Sequence, residues 1–409
     1  MTRQPSTVRV AVVARSVYPL HGVGGLERSV HDLARHLSRG GAEITLITRP
    51  PARDGTPPEI EGARVIFVPY RTFPFAGRRG TTILDRSTAY PLFGLRAGRT
   101  ALDLVSRRQV DVVHGFGASV LGYARARDAA GSPLVLNPQG MEEFGGGTMK
   151  RTGYWPLRRA VRTCARHADR VIATDRTLVD PVQRFLGVPL ARIATIPNAV
   201  DLEAIDRLAP GDGGRAVRER AGIPADAVVL LSAGRLEENK GFHVLVDALA
   251  ALQSHGASAN WRWVLAGDGP FGGTLARRIE AAGIRDRVVL AGRVDDATLH
   301  AWYAAATVFV HPTLYEGSSL VTLEAMAHRR PVVATTAGGL RDKVKSGVSG
   351  VLVEPGRPDA LAAALSGVLA RPERLAEMGD EGRRIVEAEF AWPVAAARHL
   401  ALYRELLSR

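Results

Sequence analysis

The stretch EGSSLVTLEAMAHRRPVV, Glu316 to Val333, decides how the rest of the chain is read. It follows a short apolar run, Thr307 to His311, and a proline. Two carboxylates, Glu316 and Glu324, stand within it with seven residues between them. The pattern predicts a strand, then a Gly-containing loop carrying Glu316, then a short helix that starts near Ser318 or Ser319 and carries Glu324. The first N–H groups of a helix have no intrahelical acceptor and point outward, where they suit a phosphate. Carboxylates accept hydrogen bonds from sugar or ribose hydroxyls. The stretch therefore fits a ligand that is both phosphorylated and polyhydroxylated.

Outward from this stretch, each half of the chain alternates strands and helices. Val8–Ala14 and Glu43–Thr48 read as strands around a helix whose Val30, Leu33, Ala34 and Leu37 share one face. Further strands are expected at Arg64–Val68, Val110–His114, Leu134–Asn137 and Arg170–Thr174. The second half repeats the alternation from Val228 onward. Such succession implies an α/β fold of parallel sheets with helices on both faces, here as two Rossmann-like domains. The expected division is 1–205, 206–388, and a terminal amphipathic helix over 389–409 carrying Trp392, Leu400, Tyr403 and Leu407.

Three glycine-bearing loops lie at predicted strand ends. HGVGGLE, His21 to Glu27, joins the first strand to the first helix, where paired glycines allow close backbone approach to a phosphate. It is not the GxGxxG fingerprint. Thr48-Arg49-Pro50 stands where a dinucleotide fold places a ribose-binding acid, which argues against a dinucleotide oxidoreductase. SAGRLEENKGF, Ser232 to Phe242, offers Arg235 and Lys240 beyond a buried strand, a fork and a point charge suited to a diphosphate. TTAGGL, Thr335 to Leu340, is a third glycine turn. Each alone reads equally as a tight turn or solvated surface. Together they converge on one ligand.

Composition bounds the remaining classes. At 409 residues, with 46% hydrophobic and 23% charged residues, the chain is an ordinary globular protein of two-domain length. One cysteine, Cys164, cannot form an internal disulfide, which suits a reducing, cytoplasmic compartment. The +13 net charge is unevenly placed. Residues 1–200 hold 29 Lys and Arg against 15 Asp and Glu, whereas residues 201–409 hold 25 against 26. Beside a plain arginine-rich surface, this asymmetry suggests an anionic acceptor or an anionic membrane at the inner face of the plasma membrane. Nucleic acid is disfavoured, because no aromatic platform or helix-turn-helix spacing accompanies the charge.

The ordered set GGLE, IPNAVD, GRLEENKG, LAGDGP, LAGRV, E-x7-E and AGGL resembles the GT4 family of retaining glycosyltransferases with a GT-B fold. The resemblance implies two Rossmann-like domains with parallel sheets facing across a cleft, and a C-terminal helix that crosses back to the first domain. It implies a nucleotide-sugar donor, UDP- or GDP-linked, and a hexose-type sugar passed to a glycan or lipid-linked acceptor in cell-surface polysaccharide or glycolipid synthesis. By similarity, Arg235 and Lys240 hold the diphosphate and Glu324 the ribose. Glu316 reads the sugar, and Gly317, Ser318, Ser319 and Leu320 form the loop that meets the phosphate. Val294 approaches the base, while Gly24 and Gly25 close from the first domain. Catalytic roles fall to Glu316, Arg235, Lys240 and Gln139, and acceptor-side candidates are His114, Gln139 and Glu142. Two departures stand out: Ser318 replaces a phenylalanine common in the family, and Gln139 replaces a histidine. A glutamine cannot act as a base, although its amide can bond a hydroxyl. With no Asp-x-Asp motif, neither a metal nor another cofactor is expected, and basic groups would stabilise the leaving diphosphate. Alternatives are a sugar-nucleotide epimerase, a phosphorylase, a natural-product glycosyltransferase with a small-molecule acceptor, or a binding protein that has lost catalysis.

Overall fold

The computed structural model describes residues 7–22, 24–51, 59–71, 81–145, 152–208, 211–254 and 260–409; the side chains of Thr81, Thr82 and Glu142 also lie outside this description. The chain forms two compact units. One takes the residues up to Asn198 together with Trp392–Arg409, and the other takes Ala199–Ala391. The first crossing falls inside the IPNAV segment. Among the described residues no helix is long and apolar enough to cross a membrane.

In the first unit the strands are β1 (Arg9–Val13), β2 (Glu43–Thr48), β3 (Ala63–Phe67), β4 (Val112–Phe116), β5 (Leu134–Asn137), β6 (Arg170–Ala173) and β7 (Ile193–Thr195). They pair in parallel in the order β3-β2-β1-β4-β5-β6-β7. The central strands are mostly apolar and, apart from Arg9 at the start of β1, buried, as suits parallel strands covered on both faces. Helix α1 (Gly25–Arg39) buries the predicted stripe of Val30, Leu33, Ala34 and Leu37. The terminal helix α8 (Trp392–Leu407) packs beside α1 in the same unit. Its Trp392 stacks on His36, with ring centroids 5.9 Å apart.

The other face carries α2 (Thr81–Ser106) and α3 (Trp155–His167), which pack on each other. The pattern of strands and helices read from the sequence places no element over α2, which runs through Pro91, Gly94 and Gly98. Those glycines are contact points rather than breaks. A Cβ at Gly94 would lie 1.9 Å from the Ala118 carbonyl oxygen, and one at Gly98 would lie 2.4 Å from the Tyr123 nitrogen.

The second unit repeats the plan with β8 (Val228–Ala233), β9 (Trp261–Ala266), β10 (Val288–Gly292), β11 (Val308–His311), β12 (Val332–Thr335) and β13 (Gly350–Val353), in the order β10-β9-β8-β11-β12-β13. Its helices include α4 (Phe242–Ser254), α5 (Asp296–Ala305), α6 (Leu320–Ala327) and α7 (Leu340–Lys343). Each sheet reverses its strand order once, at β1/β4 and at β8/β11. In open α/β sheets the crevice beyond the strand ends at such a reversal is where ligands bind.

Candidate active site

In the second unit the reversal point is occupied by the two loops that follow β8 and β11. The first leaves β8 through Gly234 and closes at Gly241, whose φ is +68°. An added Cβ at Gly241 would sit 2.1 Å from the Pro312 carbonyl oxygen, so only glycine lets this loop press against the second. The two are stitched by Leu314 N–H donating to the Asn239 carbonyl at 2.8 Å, and by the Thr313 hydroxyl donating to the same oxygen at 3.1 Å. This seam brings Lys240 to Glu316. The Lys240 Nζ lies 2.8 Å from Glu316 Oε2, and His311 Nε2 lies 2.8 Å from the same oxygen.

Glu316 is thus a carboxylate held from two sides. Burial pushes its pKa up, but the hydrogen bonds and charges of His311 and Lys240 outweigh burial and hold it well below the usual carboxylate range. Both donors engage Oε2. Among the described residues no hydrogen bond to Oε1 accompanies them. His311 ends β11 and is buried. The sequence reading missed it, although its place at a strand end five residues before Glu316 was visible.

Ser319 caps α6, its hydroxyl accepting from the Thr322 amide at 3.4 Å. The loop rests on the AGGL turn. Gly338 has φ +53°, and a Cβ there would meet the Glu316 carbonyl oxygen at 2.0 Å. Beneath the loop, the buried Lys343 donates to the Ser318 hydroxyl at 3.1 Å. The small serine that replaces the expected phenylalanine is therefore matched by a lysine, a pairing the sequence reading did not draw. Glu324, on α6, accepts from the buried Tyr303 hydroxyl at 2.9 Å.

Not every predicted residue joins this cluster. Arg235 is largely exposed and pairs with its neighbour Glu237 at 3.1 Å. Val294 follows β10 and packs at the margin of the core. Gly24 and Gly25 open α1 in the first unit, beside Val23, which lies outside the described residues. The Glu142 side chain also lies outside them.

The first unit has its own cavity at its reversal point, of about 190 Å³. Arg15, Arg86, Tyr90, Gln139 and Glu143 line it. Gln139 adopts a left-handed backbone, φ +65°, with its N–H bonded to Asn137 Oδ1 at 3.0 Å. Its side-chain Nε2 is buried with no hydrogen-bond partner among the described residues. Strain and an orphaned donor at one residue mark a place shaped for something other than stability. The Arg15 guanidinium lies over the Tyr90 ring, 4.8 Å from its centroid. His114 is elsewhere. It is fully buried in β4, its Nδ1 2.5 Å from the Tyr403 hydroxyl, and it stacks on Phe116 and His399. Burial holds its pKa far below 6.5, so it is a neutral core histidine that anchors α8.

Two Rossmann-like units, one with an E-x7-E loop beside a helix N-terminus, define a nucleotide-sugar-type glycosyltransferase architecture. The group described as Glycosyl transferases group 1 matches residues 227–371, and Glycosyltransferase Family 4 matches residues 23–204. The D-inositol 3-phosphate glycosyltransferase of Xylanimonas cellulosilytica is 32% identical over 100% of this chain and 98% of its own. Sucrose-phosphate synthase from Thermosynechococcus elongatus superposes with a TM-score of 0.76 at 24% identity, over 98% of this chain and 99% of its own. The Anabaena protein HepE in complex with UDP-glucose gives 0.70 at 22% identity, over 96% and 99%. The chain belongs to glycosyltransferase family 4 and is a glycosyltransferase with the GT-B fold.

Proposed function

We propose that the enzyme moves a hexose from a UDP- or GDP-linked donor to a hydroxyl of a phosphorylated polyol, with retention at the anomeric carbon. The observation that carries the donor half is the Lys240–Glu316–His311 cluster beside the N-terminus of α6. In this reading the diphosphate lies against the first-turn amides of α6, with Lys240 adjacent. The anomeric bond breaks with oxocarbenium character, and charge accumulates on the diphosphate. A fixed cation and fixed N–H groups stabilise that charge without reorganising. Glu316 Oε1 accepts a sugar hydroxyl and Glu324 a ribose hydroxyl. Retention would follow a front-face route in which the leaving phosphate takes the acceptor's proton.

The acceptor half rests on the cavity of the first unit. Arg15 and Arg86 offer positive charge and Gln139 an amide donor, within a space suited to one small ring. The names of the relatives, D-inositol 3-phosphate glycosyltransferases, favour the same class. A second reading is the glycan or lipid-linked acceptor, favoured by the positive charge gathered in residues 1–200.

Thermal-shift screening of UDP- and GDP-sugars fixes the donor, since a ligand that binds only the folded state raises its stability. Turnover with inositol phosphate, inositol and lipid-linked glycans then separates the acceptor readings. Equal rates with phosphorylated and unphosphorylated inositol would remove the arginine argument, and an inverted anomer in the product would remove retention.

A further inference from the structure

Helix α3 presents one stripe to solvent. Trp155, Arg159, Arg162 and Arg166 follow one another at spacings of four, three and four residues, so they share a face opposite the buried Leu157, Ala160, Val161, Cys164 and Ala165. Trp155 is 58% exposed, and Arg159 lies 5.7 Å from its ring centroid. Exposed apolar residues flank the stripe. Phe185 is 37% exposed beside Arg162, whose Nε donates to its carbonyl at 2.7 Å. Leu190 is 60% exposed close to Arg192, which reaches the Arg166 carbonyl at 2.9 Å. Among the described residues Arg159, Arg162, Arg166 and Arg192 form no ion pair.

At its C-terminal end the stripe runs into a concave surface of about 650 Å³, where Arg166 and Arg192 stand beside Asp128, the half-exposed Leu407, and three arginines already paired with carboxylates, Arg127 with Asp169 and Arg170 and Arg409 with Glu405. Pro133, Asp169 and Arg192 stand just before β5, β6 and β7. The bowl is thus at the opposite end of the sheet from the Gln139 cavity, and it is not part of the site described above.

A merely solvated arginine face needs no tryptophan or leucine beside it. Cationic side chains without carboxylate partners, edged by an aromatic and by leucines, match the interface of a bilayer with anionic headgroups. We propose that this face docks the enzyme on an anionic membrane, α3 lying along the headgroups with Trp155 and Leu190 inserted and Arg159, Arg162, Arg166 and Arg192 facing the lipid phosphates. The proposal holds whichever acceptor the enzyme uses.

Trp155 supplies the test. The other four tryptophans of the chain, Trp261, Trp263, Trp302 and Trp392, are at most 5% exposed. A blue shift of emission on adding vesicles therefore reports this residue. Vesicles of phosphatidylglycerol and phosphatidylcholine should shift the emission and sediment the full-length enzyme. Pure phosphatidylcholine should do neither, and roughly 0.5 M salt should reverse the effect. Arg159→Ser with Arg166→Ser should weaken partitioning roughly thirtyfold, and the corresponding Lys pair should keep it. Unchanged melting of both variants separates docking from folding. Equal partitioning to neutral vesicles, no loss in the Ser variant, or a single-stranded oligonucleotide that competes for the same shift would each overturn the proposal.

Discussion

Replacing Lys240 by methionine tests the donor site at its centre. Lys240 and Glu316 are mostly buried, with side chains 21% and 10% exposed, and their ion pair is 2.8 Å long. Removing one partner of such a pair leaves a buried carboxylate supported by His311 alone, at a cost of about 3 kcal/mol. In a unit of this size that lowers the melting temperature by about 6–12 °C. The loss should depend on pH. Glu316 is depressed in the folded state, so its contribution is complete above the unfolded value of about 4.3 and fades as pH falls below it. The gap between wild type and variant is therefore widest near neutrality and narrows in acid. Turnover should fall by roughly 10²–10³, because a fixed cation is missing where charge develops. Glu316→Gln combined with Lys240→Met separates the two effects. Two neutral groups leave no stranded charge, so roughly 2 kcal/mol of stability should return while turnover stays low. Melting curves from pH 3 to 8 and steady-state kinetics with the donor found by screening make the measurement. A Lys240→Met enzyme with near-normal turnover, or a double variant that regains activity along with stability, would refute the reasoning.

Gly338→Ala places a methyl 2.0 Å from the Glu316 carbonyl at φ +53°, and should cost at least about 2 kcal/mol in thermal stability and weaken donor binding together. Gln139→Gly relieves a left-handed backbone, so stability should stay within about 1 kcal/mol of wild type while acceptor KM rises about tenfold; an unchanged KM would remove Gln139 from the site. Glu324→Ala should raise donor KM about tenfold with little change in kcat, as read by initial rates. Burial holds His36 and His399 neutral, with pKa values lowered to about 4, so the unfolded chain takes up protons first. Stability of the first unit should therefore fall as pH drops from about 6.5 toward 4, as read by thermal melts in that window.

The double-wound plan was legible because parallel strands covered on both faces are predominantly apolar, and Val8–Ala14, Val228–Ala233 and Val308–His311 are, each with a single polar or charged residue. Helix α2 was not legible. Its Phe93, Ala97 and Ala101 keep helical spacing, but they are interleaved with Gly94 and Gly98, which are poor helix formers. Their reason is the backbone they touch, at Ala118 and Tyr123, and that contact exists only after folding. His114 failed for a related reason. A histidine at a strand end looks the same whether it faces a crevice or a packed helix, and here α8 brings Tyr403 to it.

The E-x7-E pair was legible as a position but not as a state. From the sequence, Glu316 has the same residue type as a glycosidase nucleophile or acid. What distinguishes it is that Lys240 and His311 both bond Oε2 and depress its pKa. A carboxylate stabilised this strongly as the anion is a weak base and a poor nucleophile near neutral pH. It is instead a hydrogen-bond acceptor fixed from two sides, which suits the proposed reading of a sugar hydroxyl. The proton of an incoming acceptor then needs another destination. In the proposed reaction the leaving phosphate takes that proton, and a Glu316 held as a stable anion is compatible with the front-face route proposed above.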